Sequence, residues 1–378
     1  MRRQTRGLEG SPGLDPRTGA VNVPIYLSST FAQDGPGVHR GYEYSRTGNP
    51  TRAALEGLAA ELEGGARGLA FASGMAAMSA VVSLLNQGDH VVVGDDVYGG
   101  TYRVLEKVFA RFGIRVSYAD TANPQAVKDH MRPETRMLIV ESPTNPLMKV
   151  ADLRALAEIA HEAEALLVVD NTFMTPYLQQ PLALGADIVV HSATKYLSGH
   201  SDVVAGLVVT ADPEVGERIH FLQNATGGIL GPHDSWLLIR GIRTLGVRME
   251  AHEHNARRIA RWLTAQPWVT RVHYPGLPEH AGHELMARQA RGFGGMLSFE
   301  TDTPERAEGI VRRTRLFILA ESLGGVESLI SLPARMTHAS IPAERRARLG
   351  ITDRLVRVSV GIEDADDLIE DLAQAAAG

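Results

Sequence analysis

From about residue 51, short apolar or β-branched runs alternate with stretches of helical length, and this alternation is the strongest constraint on the fold. The helical stretches are amphipathic, for example over residues 74–86, 101–112 and 152–163. The apolar runs are residues 69–71, 90–93, 137–140, 165–169, 187–190 and 207–210. Such alternation is typical of a mostly parallel sheet covered by helices on both faces. The sequence therefore predicts an α/β fold that binds ligands at the carboxyl ends of its strands.

Two segments of different character flank this region. Residues 1–50 are rich in Gly, Pro and Ser and lack helical periodicity, so we expect an arm that packs on a partner subunit. Beyond residue 245 the pattern predicts a helix at 247–265, strands at 271–274, 295–299 and 355–360, and a closing acidic helix. We therefore expect an arm (1–50), a large domain (51–245) and a smaller C-terminal α/β domain (246–378).

Composition narrows the function classes. A net charge of −6 over 378 residues leaves no basic face for nucleic acid. The chain has no cysteine, which excludes disulfides, thiolate nucleophiles and cysteine metal sites. The first residues lack the apolar core of a signal peptide, and no run approaches the roughly 20 apolar residues of a membrane span. No His, Asp and Glu cluster has metal-ligand spacing. We expect a cytoplasmic protein without a metal or a membrane partner.

Small residues follow the first apolar run. Ser73, Gly74 and Met75 lead from residues 69–71 into a helix. The free amides and the positive dipole end of a helix N-terminus form an anion site. An ordinary helix cap by Ser73 explains these residues equally well.

A carboxylate ends another apolar run, because Asp170 follows residues 165–169. A buried carboxylate at a strand end needs a strong partner. A protonated pyridine nitrogen is such a partner, and the carboxylate would keep the ring cationic so that it accepts electrons. A helix cap or a buried structural aspartate is the alternative.

Lys195 follows the run 187–190, with hydroxyls nearby at Ser192 and Thr194. A nucleophilic lysine needs a lowered pKa, which burial near another cation supplies. The hydroxyls would suit a phosphate, whereas a lone strand-end lysine is usually solvated. The three strand ends together supply an anion site, a pyridinium partner and an amine nucleophile. That combination predicts pyridoxal 5′-phosphate (PLP) as the cofactor. His191 and His200 are interpreted as structural.

The chain resembles the cystathionine γ-lyase and γ-synthase branch of the Cys/Met-metabolism enzymes. These are PLP enzymes of fold type I, which share the fold of aspartate aminotransferase. The resemblance runs from residue 24 to residue 371. It rests on the ordered blocks 42–51, 73–75, 98–103, 141–146, 170–173, 191–202, 321–329 and 357–363.

The resemblance implies the roles of the residues around the cofactor. Lys195 would hold PLP as a Schiff base and shuttle protons, Asp170 would pair with the pyridine nitrogen, and Tyr98 would stack on the ring and help deprotonate the incoming amine. The implied phosphate ligands are the amides of Gly74 and Met75, the hydroxyls of Ser192 and Thr194, and Tyr44 and Arg46 from across a subunit interface.

The resemblance also implies a substrate site. Arg357 would clamp the α-carboxylate bidentately, which suits a planar guanidinium. Asn145 and Ser322 would lie beside the cofactor and that carboxylate. Glu321 would meet the distal ammonium of cystathionine, and Arg103 its distal carboxylate. A solvated surface arginine is the alternative for Arg103.

The reaction expected from the resemblance is γ-elimination of L-cystathionine to L-cysteine, 2-oxobutanoate and ammonia, with relaxed specificity also compatible. Glu321 stands where β-lyases usually carry an aromatic residue, and Gly100 lies in a block where methionine γ-lyases carry Cys. The blocks 39–42, 98–103 and 223–228 are most similar to those of bacterial γ-lyases. The alternative is a cystathionine γ-synthase, which joins an O-acylhomoserine to cysteine.

Two other classes fit less well. A nicotinamide enzyme would carry G-x-G-x-x-G after its first strand, which this chain lacks. A non-catalytic PLP-binding relative would not need both a nucleophile and a carboxylate clamp. The resemblance further implies a homotetramer, built as a dimer of dimers, whose active sites are shared between two subunits.

Overall fold

The computed structural model describes residues 3–9, 15, 17–339 and 341–377. In chain order, the strands are β1 (Gln33–Gly35), β2 (Val38–His39), β3 (Arg67–Phe71), β4 (His90–Gly94), β5 (Arg115–Ala119), β6 (Thr135–Glu141), β7 (Leu166–Asp170), β8 (Ile188–Ser192), β9 (Gly206–Thr210), β10 (Val269–His273), β11 (Met296–Thr301), β12 (Ile318–Leu319), β13 (Leu329–Ser331) and β14 (Leu355–Ser359).

The α-helices are α1 (Arg3–Glu9), α2 (Pro50–Glu63), α3 (Gly74–Val82), α4 (Gly99–Lys107), α5 (Pro124–His130), α6 (Leu153–Glu162), α7 (Thr175–Leu178), α8 (Pro213–Thr226), α9 (Pro232–Ile242), α10 (Leu245–Thr264), α11 (His283–Gln289), α12 (Pro304–Arg313), α13 (Ala343–Leu349) and α14 (Ala365–Ala377). Among the residues described, no helix is both long enough and apolar enough to cross a membrane.

The larger sheet has seven strands in the order β3-β9-β8-β7-β6-β4-β5. Strands β4 to β8 run parallel, and β9 is antiparallel to both β3 and β8. The predicted α/β fold with a mostly parallel sheet is confirmed. All six predicted apolar runs are strands of this sheet. The runs did not include β5, which lies at an edge and whose sequence, RVSYA, alternates polar and apolar residues.

Both faces of the larger sheet are covered, which explains why its central strands are continuously apolar. Within β4, Val91 and Val93 pack in a cluster with residues of α3, while Val92 points to the opposite face. There it shares a cluster with Leu153 and Leu156 of α6. Burying one such side chain stabilises the fold by about 1.5–3 kcal/mol. A strand that is buried on both faces cannot carry polar residues except at its ends, and polar side chains therefore collect there.

The smaller sheet has five strands in the order β10-β11-β14-β13-β12. Only β12 and β13 pair in parallel. Its core includes residues of α10, α12 and α14. The three predicted strands and the closing helix are present as β10, β11, β14 and α14, whereas the short β12 and β13 were not predicted. Helix α10 contributes Met249 to the core beside the large sheet and Ile259 to the core of the small one, so it joins the two layers.

Most of the described residues among the first fifty lie outside helices and strands, and the prediction for this segment needs one correction. Helix α1 forms where no helical periodicity was recognised, and it packs against α2 and α10. Seven residues span only two turns, which is too short for a periodic pattern to be visible. Strands β1 and β2 form a small antiparallel hairpin within the arm. The division of the chain at residues 50 and 245 stays a prediction.

Candidate active site

A cavity of about 340 Å³ lies where the carboxyl ends of β6, β7 and β8 meet the start of α3, residues 321–323 and Arg357 of β14. Its lining includes residues predicted from the sequence together with Glu141: Ser73, Gly74, Met75, Tyr98, Glu141, Asn145, Asp170, Ser192, Thr194, Lys195, Glu321, Ser322 and Arg357. Residues more than 280 positions apart therefore share one site.

Lys195 follows β8 and reaches into the cavity, where its Nζ donates a hydrogen bond to Ser322 Oγ at 2.6 Å. The pKa of Lys195 is lowered from 10.5 to about 8, first by burial and second by the nearby Arg357 cation, while Glu321 acts in the opposite direction. A lysine with a lowered pKa provides neutral amine near physiological pH, which a nucleophile requires. The solvated alternative for Lys195 is wrong.

Asp170 ends β7 and is held by Thr172. The Thr172 amide and hydroxyl donate to the same oxygen, Oδ1, at 3.0 and 2.5 Å. Burial raises the pKa of Asp170, while the Thr172 hydrogen bonds and His191 lower it. Both Thr172 contacts use Oδ1, so Oδ2 is left for a cationic partner in the cavity.

The start of α3 forms one end of the cavity. Ser73 caps the helix by accepting the Ala76 amide at 3.1 Å. A Cβ on residue 74 would lie 2.9 Å from Ser192 Cα, so only glycine allows α3 to approach β8 this closely. Ser73 is thus an ordinary cap, and the first amides of the helix still face the cavity. The Ser192 and Thr194 side chains line the same end.

Arg357 lies on β14 and is 2% exposed. Its Nη1 donates to Asn145 Oδ1 at 3.2 Å, and its Nη2 donates to the Ser322 carbonyl at 2.8 Å. Burial lowers its pKa to about 10, so the guanidinium remains charged at neutral pH. A desolvated, oriented guanidinium is suited to binding a carboxylate.

Tyr98 precedes α4, and its backbone amide donates to Glu141 Oε1 at 2.9 Å. A Cβ at Gly100 would lie 2.4 Å from Tyr98 Cε1, so the ring lies directly against the backbone of this helix. Glu141 was not predicted as a site residue. It ends β6 as Asp170 ends β7, and this strand-end position is the signal that would have identified it.

The family model for the PLP-dependent enzymes of Cys/Met metabolism matches residues 4–377. The chain belongs to this family.

Relatives within the family differ in their named reaction. The chain is 60% identical to a cystathionine γ-lyase of Bacillus subtilis (strain 168) over 375 residues, covering 99% of each chain. It is 54% identical to a cystathionine β-lyase of Lactococcus lactis subsp. cremoris over 372 residues, covering 98% of each. It is also 54% identical to a cystathionine γ-synthase of Mycobacterium tuberculosis (strain H37Rv) over 374 residues, covering 98% of this chain and 96% of the relative.

A solved structure supports the same grouping. The crystal structure of cystathionine γ-lyase from Lactobacillus plantarum complexed with L-serine has a TM-score of 0.98 and 49% sequence identity. The alignment covers 100% of this chain and 99% of that chain. The predicted family, fold type and cofactor are confirmed. This Cys/Met-metabolism enzyme depends on PLP and acts on carbon–sulfur bonds.

The residues present fit the cofactor. The start of α3 and the Ser192 and Thr194 side chains line the same end of the cavity, and helix amides beside hydroxyls suit a phosphate. In the same cavity, Asp170 offers an oxygen to a pyridinium and Lys195 offers an amine to an aldehyde. The phosphate, the pyridine nitrogen and the aldehyde of PLP thus each have a suitable partner in this cavity.

Three predicted residues do not line the cavity of this chain. Tyr44 and Arg46 lie in the arm, where the Arg46 guanidinium is 5.6 Å from the Tyr44 ring centroid. Arg103 is exposed on α4. Glu321 is exposed at the cavity, so it belongs to its rim.

The two histidines interpreted as structural have local partners. His191 Nε2 lies 2.7 Å from Glu63 Oε1, and both side chains are buried. His200 Nδ1 lies 2.8 Å from the Ser198 carbonyl. In the part of the chain that the structure describes, no three His, Asp or Glu side chains are grouped so as to hold a metal ion.

Proposed function

We propose that the chain is a cystathionine γ-lyase, which converts L-cystathionine to L-cysteine, 2-oxobutanoate and ammonia. The observation that carries this proposal is the exposed Glu321 carboxylate at the rim of the cavity that holds Lys195 and Arg357. A substrate whose α-carboxylate binds Arg357 would extend its far end towards the rim. There a carboxylate favours a distal ammonium, which cystathionine has.

The roles proposed for the residues follow from their positions. Arg357 binds the substrate α-carboxylate, and Asn145 and Ser322 orient the guanidinium through their hydrogen bonds to it. Lys195 holds the cofactor and moves the proton at the substrate Cα. PLP, when bound, supplies the electron sink that stabilises negative charge at Cα. Asp170 keeps the pyridine nitrogen protonated.

The other contacts in the cavity are proposed to fix the cofactor itself. Gly74 and Met75 donate amides to the phosphate, and Ser192 and Thr194 donate hydroxyls. Tyr98 covers the ring and accepts a proton from the incoming substrate amine. Departure of the cysteine sulfur from Cγ requires a second proton transfer at Cβ, for which the Lys195 amine lies within the same small cavity.

The assembly proposed for the chain is a homotetramer of two dimers, with each active site shared by two subunits. Tyr44 and Arg46 then bind the phosphate of the neighbouring subunit, which would explain why they lie outside their own cavity. Apolar residues of the arm support this interpretation. Val21, Leu27 and Val38 are 73%, 75% and 58% exposed in the single chain. A partner subunit would cover such residues.

A γ-synthase activity is the second candidate, and the γ-synthase relative at 54% identity favours it. Both reactions begin with the same proton transfers, and they differ in whether a thiol adds at Cγ. Arg103, if it turns towards the rim of its own or a neighbouring site, would bind the distal carboxylate of cystathionine as the substrate of the lyase or as the product of the synthase.

Product analysis of the purified holoenzyme tests this proposal. With L-cystathionine, a γ-lyase releases cysteine, 2-oxobutanoate and ammonia, whereas a β-lyase releases homocysteine, pyruvate and ammonia. With an O-acylhomoserine and cysteine, a γ-synthase forms cystathionine. We expect 2-oxobutanoate as the dominant oxoacid, with Lys195→Ala as the inactive control. Predominant pyruvate, or faster cystathionine synthesis than cleavage, would contradict the proposal.

A further inference from the structure

Two carboxyl groups lie side by side at the floor of the cavity. Glu141 ends β6 and Asp170 ends β7, and the two residues are direct partners in the register of these parallel strands. Both side chains line the cavity, and Glu141 is 8% exposed. Two negative charges this close in a partly desolvated site repel each other strongly, so one carboxyl holds a proton more readily than the other.

The surroundings of the two carboxyls differ in a way that decides which one is protonated. Asp170 accepts both donors of Thr172 and lies near His191, and each of these favours its charged form. Glu141 lies near two other carboxylates. Burial raises the pKa of Glu141 well above its usual value, and the charges of Asp170 and Asp96 raise it further.

Glu141 nevertheless makes a specific contact. It accepts the backbone amide of Tyr98, and the Asn145 amide also favours its charged form, although less than burial opposes it. Tyr98 is the N-cap residue before α4, and its side chain makes no capping hydrogen bond. The hydrogen bond from its amide therefore ties the residue before α4 to the end of β6, and the Tyr98 side chain lines the cavity.

We propose that Glu141 is a positioning residue that works as a neutral carboxylic acid. Its carbonyl oxygen holds Tyr98 in place, and its lack of charge leaves Asp170 as the one carboxylate at the cavity floor that faces the pyridine nitrogen. A protonated carboxyl still accepts through its carbonyl oxygen, as does the side-chain amide of glutamine. This inference rests on the proposed role of Asp170, but it holds for elimination and replacement alike.

Four variants separate charge from hydrogen bonding. Glu141→Gln keeps the acceptor without any charge, and Glu141→Leu removes the acceptor at similar volume. Asp170→Asn removes the neighbouring charge, and Glu158→Gln, exposed on α6, is the matched control. The measurements are the dissociation constant of PLP from each apoprotein, kcat/KM, and the ¹⁵N chemical shift of the pyridine nitrogen in holoenzyme loaded with ¹⁵N-labelled PLP.

We expect Glu141→Gln to keep the pyridinium ¹⁵N shift of the wild type and to lose less than about fivefold in kcat/KM and in PLP affinity. Glu141→Leu should keep the shift but lose about 5- to 150-fold in kcat/KM, because it leaves a buried amide unpaired. Asp170→Asn should move the shift to that of a neutral pyridine. The Glu158→Gln control should match the wild type in all three measurements.

A ¹⁵N shift that moves towards neutral pyridine in Glu141→Gln would overturn the neutral-acid assignment, because glutamine then removes a charge that the ring needs. Equal kcat/KM for Glu141→Gln and Glu141→Leu would overturn the positioning role. If Glu141→Leu fails to fold, Glu141→Asp replaces it. Aspartate is one methylene shorter and should lose the Tyr98 contact with the same fall in kcat/KM, and wild-type kinetics there would also overturn the role. An unchanged shift in Asp170→Asn would instead refute the role of Asp170.

Discussion

Replacing Arg357 by methionine should raise the pH at which Lys195 becomes reactive. The two side chains are linked through one residue, because Lys195 Nζ donates to Ser322 Oγ and Arg357 Nη2 donates to the Ser322 carbonyl. The Arg357 cation disfavours a second positive charge on Lys195 and is the second cause, after burial, of its lowered pKa. Removing that cation makes protonated Lys195 less unfavourable, so its pKa must rise.

The structure sets the size of this effect. The fall from the ordinary value of 10.5 to about 8 corresponds to about 3 kcal/mol, at about 1.4 kcal/mol for each pKa unit. Two hydrogen bonds to Ser322 keep the Lys195 and Arg357 nitrogens within about 10 Å, and Coulomb's law with an effective dielectric constant of about 20 then gives on the order of 2 kcal/mol. We therefore expect the pKa of Lys195, and with it the pH at which Lys195 becomes reactive, to rise by on the order of one unit in Arg357→Met. Burial keeps it below the ordinary lysine value.

The assay follows the capture of pyridoxal by the apoprotein as a function of pH. Pyridoxal lacks the phosphate group, so the titration of that group does not complicate the profile. The initial rate is proportional to the fraction of neutral Lys195 amine, and its midpoint should lie near pH 8 in the wild type. Borohydride reduction followed by peptide mass analysis identifies the modified residue. Arg111→Met removes an exposed arginine outside the cavity and is the matched control.

Three outcomes would count against this reasoning. A midpoint that is unchanged or falls in Arg357→Met would mean that the arginine does not act electrostatically on Lys195. Label on a residue other than Lys195 would remove the assignment of the cofactor-binding lysine altogether. A rise of the same size in Arg111→Met would show that overall charge, rather than the Ser322 link, controls the profile.

Two further predictions concern the cofactor and the assembly. Asp170→Ala should bind PLP weakly and lose most of its turnover, because a neutral pyridine is a poor electron sink; a near-normal kcat would contradict this. Mixed oligomers of inactive Arg46→Ala and inactive Lys195→Ala chains should regain partial activity, because some active sites then combine an intact arm with an intact lysine. Subunit exchange without any recovered activity would argue against the shared site.

The central part of the fold could be predicted from the sequence because burial on both faces requires uninterrupted apolar runs. Strand β5 escaped prediction for the opposite reason, since an edge strand is partly solvated and alternates. Helix α1 is stabilised by packing against α2 and α10, which lie far away in sequence, and not by a pattern of its own. The elements that show a local periodicity in the sequence could be predicted. The elements that depend on tertiary contacts could not.

The residues of the candidate site also differ in whether local sequence could identify them. Asp170 and Lys195 follow apolar strand segments. A buried charged side chain there needs a specific partner, so these two residues could be identified from the sequence without the resemblance. Arg357 lies inside β14 and was identified only by resemblance, because no local pattern relates it to Lys195. Glu141 also ends a strand, which is a signal in the sequence, but its contact with the Tyr98 amide joins residues 43 positions apart and has no local pattern. Tyr44 and Arg46 need a second chain to acquire the role expected of them.

Ser322 links Lys195 and Arg357, two cationic side chains of the cavity. It adopts a left-handed backbone conformation with φ 85°, which costs a non-glycine residue on the order of 1–3 kcal/mol. That conformation lets one residue use its hydroxyl for Lys195 and its carbonyl for Arg357. Glu321 precedes it directly at the cavity rim, where the far end of a substrate would bind. A substitution at Glu321 that alters the backbone of Ser322 should therefore disturb the Lys195 amine and the Arg357 guanidinium together. A substitution at Glu321 that preserves this conformation should change substrate preference while it leaves both Ser322 hydrogen bonds in place.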